Sequence, residues 1–490
     1  MGFRFVYSSA VVCLFFMVFL SCQTKDSGKI PITTSSEEAL ADFLQGRDLF
    51  EKLRGQESLQ HLDAAIEKDP NFAMAYLFSS FSQPIAKDFF ERLDQAVALK
   101  DKVSEGERLW IEGVKAGTDG FPMKQRGIYQ SLVMKYPKAE RAHNLLGNNY
   151  FGTQEYEKAI TEYEQTIRIN PEFSQSYNQL GYAYRFLKRY DEAEKTFQKY
   201  VELIPDDPNP YDSYAELLMK RGKFEASIEQ YQKALKVNPN FVASHIGIAT
   251  NYNFLGEYGK AREQLQKLFD IARNEGERRA ARFAMTVSYV DEGNMDKALE
   301  ELGWQYNLGK TTNDPANMAG DLISMGNIYF EMKKYDKALT FYQDALKTIE
   351  SSNLSDAVKD NARRFFLYNE ARVALKKGDL KIARDKAAEF MKQAQSVNNT
   401  FQVWLAHEVA GLIALEEKNY QEAITHFEES NLQNPYNLYR MAQAYQKSGD
   451  NEMAVDFLER AANDNTLNSM QYAFIRHKAQ HKAQEMMQEM

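Results

Sequence analysis

This sequence predicts an all-α fold, a long solenoid of antiparallel helix pairs, and three observations carry the prediction. Small residues recur at a fixed interval: Ala159, Ala193, Ser227 and Ala261 stand 34 residues apart. Pro171, Pro205 and Pro239 keep the same interval, so each period closes on a residue that cannot continue a helix. Cys13 and Cys22 are the only cysteines, so the 468 residues after Cys22 hold neither a disulfide nor a thiolate metal site and must be stabilised by packing. Self-similarity of this period is the signature of stacked repeats, each burying its apolar face against its neighbours. With 26% charged and 44% hydrophobic residues the composition is that of a folded chain. Lys and Arg number 60 against 69 Asp and Glu, a formal charge of −9, which leaves no basic excess for a phosphate backbone and argues against nucleic acid as a partner.

The amino terminus, MGFRFVYSSAVVCLFFMVFLSCQ, has one early cation, Arg4, and an apolar run from Val11 to Leu20. That run has the length of a signal h-region and is short for a membrane span. With Ser21 before Cys22 it resembles the lipobox of bacterial lipoproteins, although Phe19 and Leu20 depart from the residues usual there. The resemblance implies a signal peptide over 1–21, lipidation of Cys22, and a lipid anchor to a membrane of the bacterial cell envelope, on the periplasmic or surface side. An uncleaved anchor helix is the alternative, and it too would tether the body. Residues 22–36 are polar and turn-rich without helical period, which predicts a flexible tether.

From 37 to 137 the helical pattern is degenerate, with Gly46, Ala65 and Pro70 as the small and closing residues of a first pair and the poorest match over 81–137. Residues 138–275 hold four regular units. The first carries Leu146, Gly147, Tyr150, Ala159, Tyr163 and Pro171; the second carries Leu180, Gly181, Tyr184, Ala193, Phe197 and Pro205. Constant spacing of small residues, aromatics and a closing proline resembles the tetratricopeptide repeat. The resemblance implies a right-handed superhelix of helix pairs. An interior glycine costs a helix roughly 1 kcal/mol against alanine. Gly147 and Gly181 are therefore expected to be repaid by close approach of the second helix, with Tyr150 and Tyr163 packed beside the contact. Over 276–462 the marker alanines Ala298, Ala338, Ala383, Ala423 and Ala454 are unevenly spaced, which predicts irregular units. Residues 463–490 read as a polar capping helix, so the whole amounts to roughly ten pairs.

A search for chemistry finds little. His143, His245 and His407 each precede the small residue of their unit by four, a slot filled by Tyr177 and Tyr211 elsewhere, which favours packing over catalysis. His477 and His481 share a helix face but lack the rest of a zinc motif and read as solvated. Phosphate-binding glycine loops, nucleophile elbows and CxxC pairs are missing. The expectation is a non-enzyme with no cofactor and no metal; an enzyme hidden in 81–137 has the least support.

What the sequence offers instead is an inner surface. Residues one and five after the slot, with a turn beyond, are expected to line a concave groove: Asn144, Asn148 and Phe151; Asn178, Tyr182, Arg185 and Phe186; Asp212 and Glu216; Thr250, Asn253 and Phe254. Amides and aromatics suit an extended peptide. Of the carboxylate clamp known in this family, Asn148 matches one position, while Asn144, Asn209 and Ser213 replace its cations, so that activity is not implied. The expected function is a membrane-anchored scaffold for a protein or peptide, with a glycan-binding envelope lipoprotein as the alternative.

Overall fold

Small residues set the geometry of every unit. Gly147 faces the ring of Tyr163, Gly181 that of Phe197, Gly326 that of Tyr342 and Gly411 that of Phe427, and each ring lies sixteen residues after its glycine. A Cβ on any of these glycines would fall 2.5 to 2.7 Å from a ring carbon. The first helix of a pair thus gives up a side chain so that the aromatic of the second can lie flat against its backbone. Twelve residues after each small position, Ala159, Ala193, Ala338 and Ala423 are fully buried on the returning helix. Ser227 takes that place in the third regular unit and donates its hydroxyl to the Ala215 carbonyl at 2.7 Å.

The computed structural model describes residues 28–489, and their regular secondary structure is helical, with no strand among them. The first three pairs are α1 (Glu37–Glu51) and α2 (Gly55–Lys68), α3 (Ala73–Phe81) and α4 (Ala86–Leu99), α5 (Glu105–Thr118) and α6 (Pro122–Lys135). Four regular pairs follow: α7 (Glu140–Gly152) and α8 (Tyr156–Ile169), α9 (Ser174–Phe186) and α10 (Tyr190–Leu203), α11 (Asn209–Lys220) and α12 (Phe224–Val237), α13 (Val242–Phe254) and α14 (Tyr258–Ile271). Five more are α15 (Glu275–Glu292) and α16 (Met295–Thr311), α17 (Pro315–Glu331) and α18 (Tyr335–Glu350), α19 (Asp356–Lys377) and α20 (Leu380–Ser396), α21 (Thr400–Glu416) and α22 (Tyr420–Glu428), α23 (Pro435–Ser448) and α24 (Asn451–Ala462). A last helix, α25 (Met470–Glu489), closes the array. The described chain therefore holds twelve pairs rather than ten, because residues 37–137 supply three and 276–462 five.

First helices touch their successors, α7 with α9, α9 with α11 and α11 with α13, which puts them on the inside of the curve. The curve closes on itself. Asn274 donates to Gln56 at 2.6 Å, the Lys87 amide to Asp314 at 3.3 Å, Gln154 to Asn431 at 2.7 Å, and Lys220 pairs with Asp464 at 3.1 Å. These partners are 218 to 277 residues apart, about seven units per turn.

Two sequence expectations change. In the first pair the residue equivalent to Ala159 is Ser58, twelve after Gly46, and its hydroxyl donates to the Gly46 carbonyl at 2.8 Å; Ala65 is buried but lies two helical turns beyond that place. Tyr150 packs on the core that holds Tyr163 and Ala159, as expected, and it also reaches back to the preceding unit, beneath the Arg126 guanidinium at 4.7 Å. Residues 28–36, within the expected tether, form an extended strap along α3, α5 and α7. Thr33 donates its amide to Glu107 at 2.8 Å, Ser35 its amide to Asp69 at 2.9 Å, and Lys29 pairs with Glu140 at 2.8 Å. The signal peptide and Cys22 lie outside the described residues.

Candidate functional site

The slot residues are structural ties. The Tyr177 and Tyr211 hydroxyls donate to the Pro171 and Pro205 carbonyls, each at 3.1 Å, and a ring nitrogen of His143 and of His245 meets the Pro137 and Pro239 carbonyls at 3.1 and 2.9 Å. The second nitrogen of each histidine meets the residue nineteen later, Glu162 or Gln264. His407 makes the same reach to His426 at 3.1 Å. On α25, His481 is exposed beside Glu485, while His477 is bonded to the Tyr258 hydroxyl at 3.0 Å rather than simply solvated. Among the described residues no group of three or more His, Cys, Asp or Glu is arranged to hold a metal ion.

The residues expected to line the groove do come together, but they join unit to unit. Asn144 accepts from Ser176 and donates to Gln175, both at 3.2 Å. Tyr182 donates to Glu216 at 2.8 Å, and Arg185 reaches the other oxygen of that carboxylate at 2.5 Å. Asp212 accepts from Ser244 at 2.7 Å, and Asn253 accepts from Ser288 at 2.8 Å. Asn148 instead accepts from Tyr163 of its own pair at 2.9 Å. Asn144, Asn178, Arg185, Asp212 and Asn253 are buried, whereas Asn148, Phe151, Tyr182, Phe186 and Glu216 are half-buried and lie nearest the open side. Burial pushes the Asp212 carboxyl up to about 7, Glu216 adding to the rise and the Ser244 hydrogen bond opposing it. Phe151, Tyr156 and Phe186 form one aromatic cluster with Arg185 over Phe186 at 4.9 Å.

A second inner network escaped the sequence reading. Arg440 pairs with Glu408 at 2.7 Å, Tyr368 donates to the same carboxylate, and Tyr436 donates to Glu331 at 2.7 Å. Arg372 lies over Phe330 at 4.5 Å and Tyr368 at 4.9 Å. Tyr368 and Arg372 stand one and five after Leu367, the slot that Ala371 defines, and Glu408 stands one after His407. The offset used for 138–275 would have found them if carried past the point where the period drifts.

The chain covers much of its own inside. Helix α1 and the strap lie over α3, α5 and α7, where Arg141 grips Glu51 through two bonds of 2.7 and 2.8 Å. Helix α25 crosses the ends of α13, α15 and α17. Arg476 meets buried Asp291 and donates to the Asn253 carbonyl at 3.1 Å, Tyr472 meets Phe254 edge-on, and Lys478 pairs with Glu331 at 3.0 Å. Between these covers, among the described residues, lies the inner face of α7, α9 and α11. It adjoins a cavity of about 410 Å³ that includes Asp48, Lys52, Glu172, Gln175 and Leu203.

Family models described as tetratricopeptide or TPR repeats match residues 174–207, 322–351 and 435–463, residues 147–187 and 215–253, and residues 368–432. No curated protein matches the chain. Similar solved structures include a thermophilic TPR protein of Thermus thermophilus, 22% identical over 34% of this chain and 89% of that one with a TM-score of 0.30. MamA from Desulfovibrio magneticus is 16% identical over 34% of this chain and 95% of that one, with a TM-score of 0.29.

Proposed function

We propose that this solenoid of tetratricopeptide repeats is a non-catalytic scaffold, anchored through Cys22 to a membrane of the bacterial cell envelope, that holds a protein or peptide against the inner face of α7, α9 and α11. The observation that carries the reading is the strap. Residues 28–36 are an extended segment held by Asp69 at the end of α2 and by Glu107 and Glu140 in the first turns of α5 and α7, which is how a row of repeats would hold an extended partner. Beyond Lys29 the inner face runs on along α7, α9 and α11, with half-buried side chains among the described residues. Asn148, Phe151, Tyr182, Phe186 and Glu216 are the accessible side chains along it. A glycan would need an open aromatic face, and those of Tyr182 and Phe186 are covered by Arg185. This favours a protein or peptide over a glycan at this face.

A photo-crosslinking side chain placed at Phe151 or Tyr182 in intact cells should trap one protein that is not trapped from Lys199, exposed on the second helix α10. Equal labelling from all three positions would refute the groove. Anchoring is tested separately. Replacing Cys22 with serine should move the protein from the membrane fraction to the soluble one, and unchanged membrane retention would refute lipidation at that residue. No helix among the described residues is long and apolar enough to cross a membrane.

A further inference from the structure

Under the strap lies a cavity of about 290 Å³ between α1, α3, α5 and α7. At roughly 30 Å³ per water-sized group it holds about ten non-hydrogen groups. Phe43, Met74, Phe78 and Trp110 supply its apolar wall, with the rings of Phe78 and Trp110 packed edge-on at 5.5 Å. Lys29, Ile30, Pro31 and Ile32 of the strap close it.

The charges around this space decide what it would take. Its wall carries Lys29, Arg47 and Arg141 against Glu107 and Glu140, one positive charge in excess. Four of the five are committed. Glu107 accepts from the Thr33 amide, the Thr33 hydroxyl and the Ser104 amide at 2.8, 2.5 and 3.0 Å. Glu140 is held by Lys29 and Arg141 at 2.8 and 2.7 Å, and Arg141 also holds Glu51. The remaining group is Arg47. Its Nε is buried with no hydrogen-bond partner, the Phe43 ring lies at 5.6 Å, and the charges of Arg141, Glu51, Glu140 and Asp48 act on it. Burial, with the Arg141 charge beside it, pushes the Arg47 guanidinium down to about 10 against the opposing pull of Glu51, Glu140 and Asp48, so it stays charged at neutral pH with its Nε donor unused.

We infer that this cavity is a binding site for a carboxylate carrying a small aromatic or aliphatic body, the carboxylate meeting Arg47 and the body resting on Phe43, Phe78 and Trp110. A guanidinium presents a planar fork that a carboxylate fits with two parallel hydrogen bonds. The carboxylate could be that of a free small molecule or the end of a polypeptide, and the strap residues 29–32 must lift to admit either. This site is separate from the α7–α11 face, so neither proposal depends on the other.

The test uses the full-length chain carrying Trp304→Phe and Trp404→Phe, which leaves Trp110 as the fluorescent reporter. Titration with phenylacetate should change Trp110 emission saturably, while phenylacetamide, the same shape without the charge, should bind about tenfold or more weakly, the worth of one charged hydrogen bond. Arg47→Gln should abolish the difference between the two probes. Glutamine keeps a polar side chain at this half-buried position, and the melting temperature measured beside the titration separates lost binding from unfolding. Acetyl-Gly-Gly-Phe with a free terminus, compared with its amide, separates the sources: tighter binding than phenylacetate assigns a chain terminus, weaker binding a free small molecule. Equal binding of acid and amide, no saturable binding by either acid, or an Arg47→Gln protein that binds phenylacetate as before would overturn the inference.

Discussion

Replacing Gly147 by alanine asks whether the aromatic contact or helix propensity governs these units. Alanine in a helix interior is favoured over glycine by about 1 kcal/mol, and at Gly303 and Gly320 nothing lies within 4 Å of an added Cβ. Gly303→Ala should therefore stabilise by about 1 kcal/mol. At Gly147 the added carbon would sit 2.6 Å from Tyr163 Cε1 and 2.9 Å from Cδ1, where ordinary contact begins at 3.4 Å. The ring would have to retreat about 0.8 Å. It cannot retreat freely, because Tyr163 is fully buried and its hydroxyl is tied to Asn148 at 2.9 Å. Overpacking of this kind costs about 1–3 kcal/mol. Taking the middle of that range against the propensity gain, Gly147→Ala should destabilise by about 1 kcal/mol, opposite in sign to Gly303→Ala. Urea unfolding of the full chain measures the net change. Hydrogen exchange over residues 140–169 should place the loss in α7 and α8, since repeat arrays open unit by unit. If the two alanine variants shift stability in the same direction by the same amount, the close-approach account of the repeat is wrong.

Three further outcomes follow from other contacts. A side chain at Gly276 would run into the Pro84 carbonyl across the turn, so Gly276→Ala should part the first turn from the second and increase the radius of gyration in solution scattering, with helix content unchanged. Arg476 and Asp291 are both about 5% exposed; removing one partner of such a buried pair costs about 3–5 kcal/mol, and Arg476→Met should release α25 to limited proteolysis before any other helix is cut. The folded Asp212 carboxyl, raised to about 7 by burial, lies above its unfolded value of 3.8. Its contribution is thus fully present below that lower value and is lost as pH rises through about 7, so Asp212→Asn should melt like the parent near pH 4 and at a higher temperature at pH 8.

What could be read from residue order is what one unit decides alone. Gly147 with Tyr163, Ala159 on the returning helix and Pro171 at its close all follow from a single period, and so does the tie from slot residue to proline carbonyl. The first unit went out of register because Ala65, a buried alanine, resembles the marker while Ser58 does not look like one, although a hydroxyl returned to the helix backbone does the same work in Ser227. The amides expected to face a groove, Asn144 and Asn253, are instead engaged by Ser176 and Ser288 of the following units. From one unit it is invisible that Asn144 will be spent on Ser176, because that depends on how far the next unit rotates. The strap was hidden for a different reason. A run of Thr33, Thr34 and Ser35 has the composition of a linker, and it is held by the carboxylates it meets, Glu107 and Asp69, together with Ile30 and Ile32 packed on the core.

Contacts between turns lie furthest from the sequence, since they sum small rotations over about seven units, and they also decide how the scaffold could yield. Most are single polar bonds at helix ends, such as Asn274 to Gln56, Gln154 to Asn431 and Ser355 to Asp119. Exposed bonds and ion pairs of this sort contribute about 0–1 kcal/mol each. The lock at α25 is of another order, because Tyr472, Phe474 and Ile475 are buried in a core shared with Val287, Val290 and Ile328, and Arg476 closes on Asp291 beneath them. A partner that needs the coil to open would therefore part the α2–α15 and α4–α17 edges while α25 stays seated. The partner proposed for the face of α7, α9 and α11 needs no opening, since the lateral bonds of that face are already made. Such a face is rigid before it binds, and recognition there loses little conformational entropy.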